Sequence, residues 1–455
     1  MIASHSIADT QPELAYPRDL ALLVHQRWAE MPYEKAEQAN AIEESGELPE
    51  LPALERLLST CYQASLLHEE GRPVTFRVAL AEPESFMAPG GAPEGFHRLV
   101  LSRFRPFDRH ELRRLAPAAG FQRSLIGVRF AVDGDFEVWG VVHTGPRWLQ
   151  AVRGGRRAAQ SILPMLMVSV TGPGRVLVSK GSRTVAALVG GTLADVATDV
   201  FAAPWFASLF ADLHRAQWAE HAAIPGLSSE PYGSLEPAFG RKLAEHVLRR
   251  IVATIRGARH GGTLILLPTE SASELCADGR YVTLKYPFRD EEPRRRIFSL
   301  TVRIMSELAK LHPFSQDEAG PRVGWAEYEE SEDSKLIALD EALFEVAHLV
   351  AMLADVDGAV VMTDRLEILG FGAEISGALP EVESVDRSLD LQGTQRLEEH
   401  TDRVGTRHRS AYRLCAKIHD ALVVVVSQDG GVRFVRWNDG RVAYFDQIAT
   451  GPWEV

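Results

Sequence analysis

The chain has 455 residues, about three times the length of a typical domain, so we expect two or three domains. Hydrophobic residues make up 45% and charged residues 24% of the sequence, a balance that indicates folded cores and excludes a disordered chain. With 49 Lys and Arg against 62 Asp and Glu, the net charge is −13. Nucleic acid is therefore not an expected partner, and any anionic ligand must be bound by a local positive cluster.

The cysteines and the apolar runs indicate the cellular compartment of the protein. Cys61, Cys276 and Cys415 form no C-x-x-C pair, which argues against a disulfide framework or a zinc knuckle and favours a reducing compartment. The most apolar runs, 163–170 and 421–426, are far shorter than the roughly 20 residues of a membrane span, and no signal-peptide pattern opens the chain. We expect a cytoplasmic protein with no membrane partner.

The first 230 residues carry no chemical motif. Residues 1–72 have apolar residues at helical spacing, so we predict a mainly helical segment. Residues 73–230 add strand patterns and are predicted to form a smaller α+β domain. The predicted strands of this domain are 74–80, 99–101, 127–130, 137–143, 165–170 and 175–179. The domain ends in a helical tail whose apolar stripe we expect to lie on that sheet, formed by Trp205, Phe206, Leu209, Phe210 and Leu213.

Residues 235–455 are more regular and follow a Ser-, Pro- and Gly-rich boundary at 227–237. We predict an α/β domain of the α+β type, in which helices flank a mixed central sheet. The predicted helices are 241–256, 295–311 and 335–354, and the predicted strands are 263–267, 281–286, 356–362, 366–369, 422–427 and 432–436. The acidic stretch 316–333 has no period and is expected to be a surface insertion.

The first chemical motif is Asp357-Gly358-Ala359, at a predicted junction between a helix and a buried strand. A carboxylate at such a junction can hold a divalent metal or accept a proton from a hydroxyl, and small residues let a ligand approach the backbone. A turn Asp followed by a glycine with positive φ explains the same residues, and for this motif alone that alternative is favoured.

The second motif is residues 405–410, with the sequence Gly-Thr-Arg-His-Arg-Ser, at the start of a predicted helix. Two guanidiniums, an imidazole and two hydroxyls are a concentrated set of phosphate ligands, and the helix N-terminus adds its own N–H groups. This composition suits a triphosphate. The alternative is a solvated basic loop that is neutralised by Glu398, Glu399 and Asp402.

The third motif is Ser427, at the end of the most apolar strand, followed by Gln428, Asp429 and two glycines. The ends of strands present ligand-binding groups in sheets of this class, because the backbone turns there and exposes its polar atoms. A plain hairpin turn is the alternative.

The order and spacing of the three motifs resemble the DAC domain of diadenylate cyclases. An apolar strand begins with D-G-A, the sequence G-T-R-H-R follows about 46 residues later, and the strand A-L-V-V-V-V-S ends in an acidic glycine turn. Helix 241–256 and the strand 262–267 resemble the opening helix and first strand of that domain. The resemblance therefore covers about 235–455 and does not extend to the first 230 residues.

The resemblance implies that two ATP molecules are condensed into cyclic di-AMP with release of two pyrophosphates, with Mg²⁺ or Mn²⁺ as cofactor. It also implies self-association, because two domains face each other with one ATP each, and the 3′-hydroxyl of one attacks the α-phosphate of the other. Asp357 would contact the metal and the attacking hydroxyl, with Asp429 as a second candidate metal ligand. The other carried-over catalytic or phosphate-binding residues are Gly358, Ala359, Gly405, Thr406, Arg407, His408, Arg409, Ser427 and Gln428.

The sequence departs from the family pattern in three places. Gln428 and Asp429 stand where the family usually has two glutamates, Val356 stands where some members have His, and the linker before residue 405 is longer. Gln428 keeps an alternative open, in which a catalytically weak or inactive pocket binds ATP or a cyclic dinucleotide as a signal. The domain order is similar to that of bacterial proteins in which a sensor domain precedes the cyclase domain, so we expect the first 230 residues to be regulatory.

Overall fold

The computed structural model describes residues 14–30, 48–86, 96–143 except 122 and 133, 165–195 except 182, 199–224, 232–313 except 278, and 322–447. These residues form two compact units, the first within 14–195 and the second within 199–447. Helices and mixed sheets occur in both units, which confirms the α+β class. No helix in the described parts of the chain is both long and apolar enough to cross a membrane.

An eight-stranded mixed sheet forms the centre of the first unit. The elements of the unit are α1 (Pro17–Trp28), α2 (Leu51–Ser65), β1 (His68–Glu69), β2 (Arg72–Pro73), β3 (Phe76–Leu80), β4 (His97–Pro106), α3 (Arg109–Leu115), β5 (Ser124–Phe130), β6 (Phe136–His143), β7 (Leu166–Gly172), β8 (Arg175–Lys180), β9 (Arg183–Val189) and β10 (Thr192–Asp195). The sheet order is β10-β9-β8-β7-β3-β5-β6-β4. The helices pack on it through a core that includes Leu20, Leu57 and Val78, so α1 and α2 belong to this unit.

The second unit contains a nine-stranded mixed sheet. The strands of the second unit are β11 (Ser234–Leu235), β12 (Gly262–Leu267), β13 (Val282–Pro287), β14 (Arg322–Val323), β15 (Ala359–Thr363), β16 (Ile368–Ile375), β17 (Ser384–Ser388), β18 (Arg396–His400), β19 (Leu422–Val426), β20 (Val432–Asn438) and β21 (Arg441–Gln447). The order in the large sheet is β13-β16-β15-β12-β19-β20-β21-β17-β18, and β11 pairs with β14 separately.

Helices cover both faces of the nine-stranded sheet. They are α4 (Pro204–Leu209), α5 (Ala211–Ala222), α6 (Phe239–Ala258), α7 (Thr269–Ala277), α8 (Glu291–Arg294), α9 (Arg296–Lys310), α10 (Trp325–Glu330), α11 (Ser334–Leu353) and α12 (Thr406–Lys417). Alternate residues of the central strands point to opposite faces. Leu264 and Val424 join the core beneath α6, α9 and α11, whereas Ile265 and Val423 join the core beneath α7 and α12.

The division between the units differs from the predicted one. The aromatic helical tail was expected on the sheet of the first unit, but α4 and α5 belong to the core of the second. The ring of Phe206 lies 5.9 Å from that of Phe434 in β20, and the backbone N–H of Val200 donates to Gln447 Oε1 at 2.7 Å. An apolar stripe predicts that a helix is buried, but it does not say against which sheet. The boundary therefore lies near residue 196, about 30 residues before the expected position.

The acidic stretch 316–333 is only partly the surface insertion that we expected. Residues 316–321 lie outside the described residues, but the rest contains β14 and α10. Tyr328 of α10 is buried, with its ring 5.5 Å from that of Phe239, and its hydroxyl donates to Asp340 Oδ1 at 2.8 Å. A helix of six residues is too short to produce a recognisable period, which is why the sequence did not predict it.

Candidate functional site

The three motifs meet at one edge of the nine-stranded sheet. Strand β12 runs parallel to β15, with Leu264 opposite Val360, and antiparallel to β19, with Gly262 opposite Val426. The same register places Gly358 level with Gly262, so β15 and β12 begin where β19 ends. Asp357 and Ser427 therefore lie on either side of Gly261, two strand spacings or about 10 Å apart.

In the first motif, the small residues serve the fold. Gly358 has φ +114°, and a Cβ added to it would lie 2.6 Å from the carbonyl carbon of Gly372 in β16. The side chain of Ala359 is buried in the core beneath α12. The space that we expected to admit a ligand is thus occupied by a neighbouring strand. Asp357 itself is exposed, and its carboxylate makes no hydrogen bond or ion pair with the described residues.

The second motif forms the first turn of α12. Gly405 is the N-cap residue, and no side chain caps the helix. Arg407 and Arg409 are exposed, and neither lies within ion-pair distance of a carboxylate in the described part of the chain. The exposed N–H groups of an uncapped helix and two unneutralised guanidiniums favour binding of an anion.

The acidic residues that could have neutralised this motif mostly bind elsewhere. Glu398 accepts from Ser384 Oγ at 2.6 Å and is paired with Arg441. Glu399 accepts from the hydroxyl of Tyr444 at 2.6 Å. Glu398 and Glu399 therefore do not neutralise the second motif, contrary to the alternative of a basic loop offset by its acidic neighbours.

Successive residues of the second motif face different directions, because each helical residue is rotated by about 100° from the one before. Arg407 points to the beginning of β12, where its Nη1 donates to the carbonyl of His260 at 3.4 Å. Thr406, Arg409 and Ser410 instead line a separate cleft of about 640 Å³. The acidic residues Glu381, Glu383 and Asp402 also line that cleft. The structure thus brings Arg407, and not the whole motif, to the edge shared with Asp357 and Ser427.

His408 is held neutral by its surroundings. Burial lowers the pKa of its imidazole to about 4, with a further contribution from the positive charge of Arg433. Arg433 pairs with Asp446 at 3.1 Å and donates to the hydroxyl of Tyr412 at 3.4 Å. Burial also raises the pKa of Tyr412 to about 12. At neutral pH, His408 can therefore donate or accept a hydrogen bond as one of the expected phosphate ligands, but it supplies no positive charge.

The third motif is a hairpin turn between β19 and β20, as the simpler alternative predicted. The N–H of Ser427 donates to the carbonyl of Gly431 at 2.8 Å. The Ser427 hydroxyl donates to the carboxylate of Asp429, which also accepts from the N–H of Gly431 at 3.2 Å. Asp429 therefore braces the turn, whereas the side chain of Gln428 is exposed.

The loop between α6 and β12 is the part of the site that sequence reasoning missed. In the sequence, the pair Gly261-Gly262 indicates only that the helix 241–256 ends there. Gly261 has φ +71°, and a Cβ on it would lie 2.7 Å from Arg407 Nη1 and 2.8 Å from the carbonyl oxygen of Val426. Only glycine lets the second and third motifs come this close to the start of β12.

The residues at this edge offer one open carboxylate, that of Asp357, to the expected Mg²⁺ or Mn²⁺ ion. In the described residues, no cluster of three or more His, Cys, Asp or Glu side chains could hold a metal by itself. Mg²⁺ is usually bound by one or two carboxylates together with phosphates and water. The open carboxylate of Asp357 suits that role. Asp429 lies across β12 from Asp357 and is engaged in its turn, so the two carboxylates do not form one preformed site.

Comparison with known proteins concerns the first unit. The family model described as "Probable sensor domain DACNV" matches residues 43–143. The matched range contains α2, α3 and the strands from β1 to β6. No curated protein matches the chain. The first unit is therefore similar to a probable sensor domain over residues 43–143, in agreement with the expected domain order.

Proposed function

We propose that the second unit is a diadenylate cyclase domain, which condenses two ATP molecules into cyclic di-AMP and two pyrophosphates, and that the first unit regulates it. The observation that carries the proposal is the convergence of Asp357, Arg407 and Ser427 at one sheet edge, on either side of Gly261. The sensor-domain match at residues 43–143 agrees with a regulatory first unit. The three free cysteines and the use of ATP suit a cytoplasmic protein.

The reaction is a phosphoryl-type transfer that needs positioning and charge stabilisation. The 3′-hydroxyl oxygen of one ATP forms a bond to the α-phosphorus of the other, the bond from that phosphorus to pyrophosphate breaks, and the hydroxyl proton is released. A second transfer in the opposite direction closes the ring. Because one pocket holds one ATP, two copies of the domain must face each other.

The residues of this chain would divide the work by charge. Asp357 would lie beside the attacking hydroxyl and ligate the metal, which when bound supplies positive charge to the phosphate oxygens. Arg407 and the free N–H groups at the start of α12 would stabilise the charge that develops on the departing pyrophosphate. Ser427 can donate its hydroxyl to a phosphate oxygen once it releases Asp429. His408, being neutral, would contribute a hydrogen bond only.

A second candidate function is nucleotide binding without turnover. Gln428 supplies no carboxylate, and Asp429 is engaged with Ser427 and Gly431, so this side of the pocket offers little to a metal. The variant Gln428→Glu separates the two functions. A cyclase already active in its natural form should gain at most several-fold, whereas a pure binding domain should show product only after the substitution.

ATP binding tests the site itself. We expect Arg407→Ala to weaken the affinity for ATP with Mg²⁺ by about tenfold or more, since a hydrogen bond between charged groups contributes about 1.5–3 kcal/mol. Lys417→Ala is the matched control, because this substitution also removes one positive charge from the same helix, but from its last turn. There the Lys417 ammonium lies over the ring of Tyr281. Equal affinities of the two variants in calorimetry would contradict the proposed role of Arg407.

A further inference from the structure

The short loop before β12 joins the two chemical motifs that flank it. His260 Nδ1 lies 3.1 Å from Asp355 Oδ1, two residues before Asp357, and 2.6 Å from the carbonyl oxygen of Gly261. The carbonyl of the same His260 accepts from Arg407 Nη1 at 3.4 Å. One residue therefore contacts the segment that carries Asp357 through its side chain and the second motif through its backbone.

The partners of His260 define its tautomer. Nδ1 carries at most one hydrogen, and because a carbonyl oxygen is an acceptor, Nδ1 donates that hydrogen to Gly261 at 2.6 Å. The Asp355 carboxylate, in the turn after α11, lies within ion-pair distance of the same nitrogen at 3.1 Å. Asp355 is more exposed than His260, at 59% against 27% of the side chain. The contact thus lies at the rim of the site and does not depend on a buried ion pair.

The loop is held in place from both sides. Arg259 ends α6 with φ +59°, and Gly261 follows with φ +71°, so His260 lies between two residues of left-handed conformation. The contacts of Gly261 with Arg407 and Val426 leave no room for a Cβ. His260 therefore projects from a tightly constrained turn, and its ring can transmit that constraint to the Asp355–Asp357 segment.

We propose that His260 is a positioning residue of this site: its imidazole, which is hydrogen-bonded to Gly261 and lies 3.1 Å from Asp355, holds the segment that carries Asp357 at a fixed distance from Arg407. The inference rests on the proposed function, because it assigns to His260 the task of keeping the carboxylate beside the attacking hydroxyl. The hydrogen bond from Arg407 goes to the backbone carbonyl of His260, which every substitution keeps. Loss of the ring should therefore lower kcat and leave the binding of ATP largely unchanged.

Three substitutions of His260 test the role of its side-chain N–H, because they change the position of this donor or remove it. Asn carries an N–H at about the reach of Nδ1, Gln carries it about one bond further, and Ala carries none. We expect kcat for cyclic di-AMP formation to fall about tenfold in His260→Ala and His260→Gln, because both variants lose the hydrogen bond to Gly261 and the contact with Asp355. His260→Asn should retain kcat within about threefold, and KM should change by less than about twofold in all three.

Asp355 supplies the coupling test. If the two side chains act through their mutual contact, the double variant His260→Ala with Asp355→Ala should lose no more activity than either single variant. His419→Ala is the matched control, because His419 lies on the ring of Trp437 at 4.0 Å, outside the proposed site. It should retain the activity of the natural chain. Additive losses, or equal activity of the Asn and Gln variants, would overturn the inference.

Hydrogen exchange separates failure of this inference from failure of the proposed function. We expect the backbone amides of residues 355–361 to exchange several-fold faster in His260→Ala than in His260→Asn, whether or not the chain turns over ATP. A natural chain that makes no cyclic dinucleotide would refute the proposed function. Unchanged exchange in His260→Ala would refute the positioning role alone.

Discussion

Replacing Gly358 with Ala should destabilise the second unit strongly, even without any nucleotide. A φ of +114° lies outside the regions open to residues with a Cβ, and holding Ala there costs on the order of 1–3 kcal/mol. The new methyl would also lie 2.6 Å from the Gly372 carbonyl carbon and 2.9 Å from the backbone nitrogen of Ala373. Because these are backbone atoms, β16 must move, which adds roughly 1–3 kcal/mol.

The net loss follows after one correction for the unfolded chain. Ala restricts the unfolded state and returns about 0.4–1 kcal/mol, which leaves an expected loss of about 3 kcal/mol in the free energy of unfolding. Domains of this kind have about 5–15 kcal/mol in total, so the variant should fold with much reduced stability. Urea unfolding followed by circular dichroism measures the difference.

Gly405→Ala is the matched control for the same measurement. Gly405 has φ −68°, and no atom lies within 4 Å of an added Cβ. The lost preference for Gly at an N-cap and the stiffer unfolded chain nearly cancel, so its stability should change by less than about 0.5 kcal/mol. If Gly358→Ala were as mild as Gly405→Ala, the claim that Gly358 is needed for strand packing would be refuted.

Three further outcomes are expected. Arg433→Met should raise the pKa of His408 above its value of about 4, because a nearby positive charge is removed; an NMR titration of the imidazole measures this. The pKa of His408 is lower in the folded state, so its contribution to stability is complete above about pH 6.5 and is lost as the pH falls towards 4. The free energy of unfolding should therefore fall less steeply with acidification in His408→Asn than in the natural chain. Fragment 199–447 should unfold cooperatively, whereas fragment 232–447, which lacks Phe206 and Phe210, should not.

The sequence predicts those elements whose patterns are strong. Helices α6, α9 and α11 and strands β12, β15 and β19 occur within a few residues of their expected bounds, because each has a sustained apolar period or an unbroken apolar run. The meeting of Asp357, Arg407 and Ser427 at one edge was implied by the family resemblance. The geometry of Arg407 at that edge could not come from the sequence, since it depends on the pairing of β12 with both of its neighbours.

Other features could not be predicted because they depend on tertiary contacts. Strands β17 and β18 are largely polar and lie at one end of the sheet, so their sequence resembles a loop. The apolar stripe of the aromatic helices α4 and α5 predicts a buried face, but it does not specify which of the two sheets that face packs against. His260 has no motif around it, and its role is visible only when its distances to Asp355 and Arg407 are known.

The product formed from ATP is the most direct test of the proposed function. The full chain is incubated with equimolar ATP and GTP and with Mn²⁺, and the products are identified by mass spectrometry beside a parallel reaction of Asp357→Asn. We expect a cyclic dinucleotide containing adenine, with two pyrophosphates released for each product, and none from Asp357→Asn. Absence of any cyclic dinucleotide from the natural chain, or an undiminished yield from Asp357→Asn, would contradict the assignment of this sheet edge as a cyclase site.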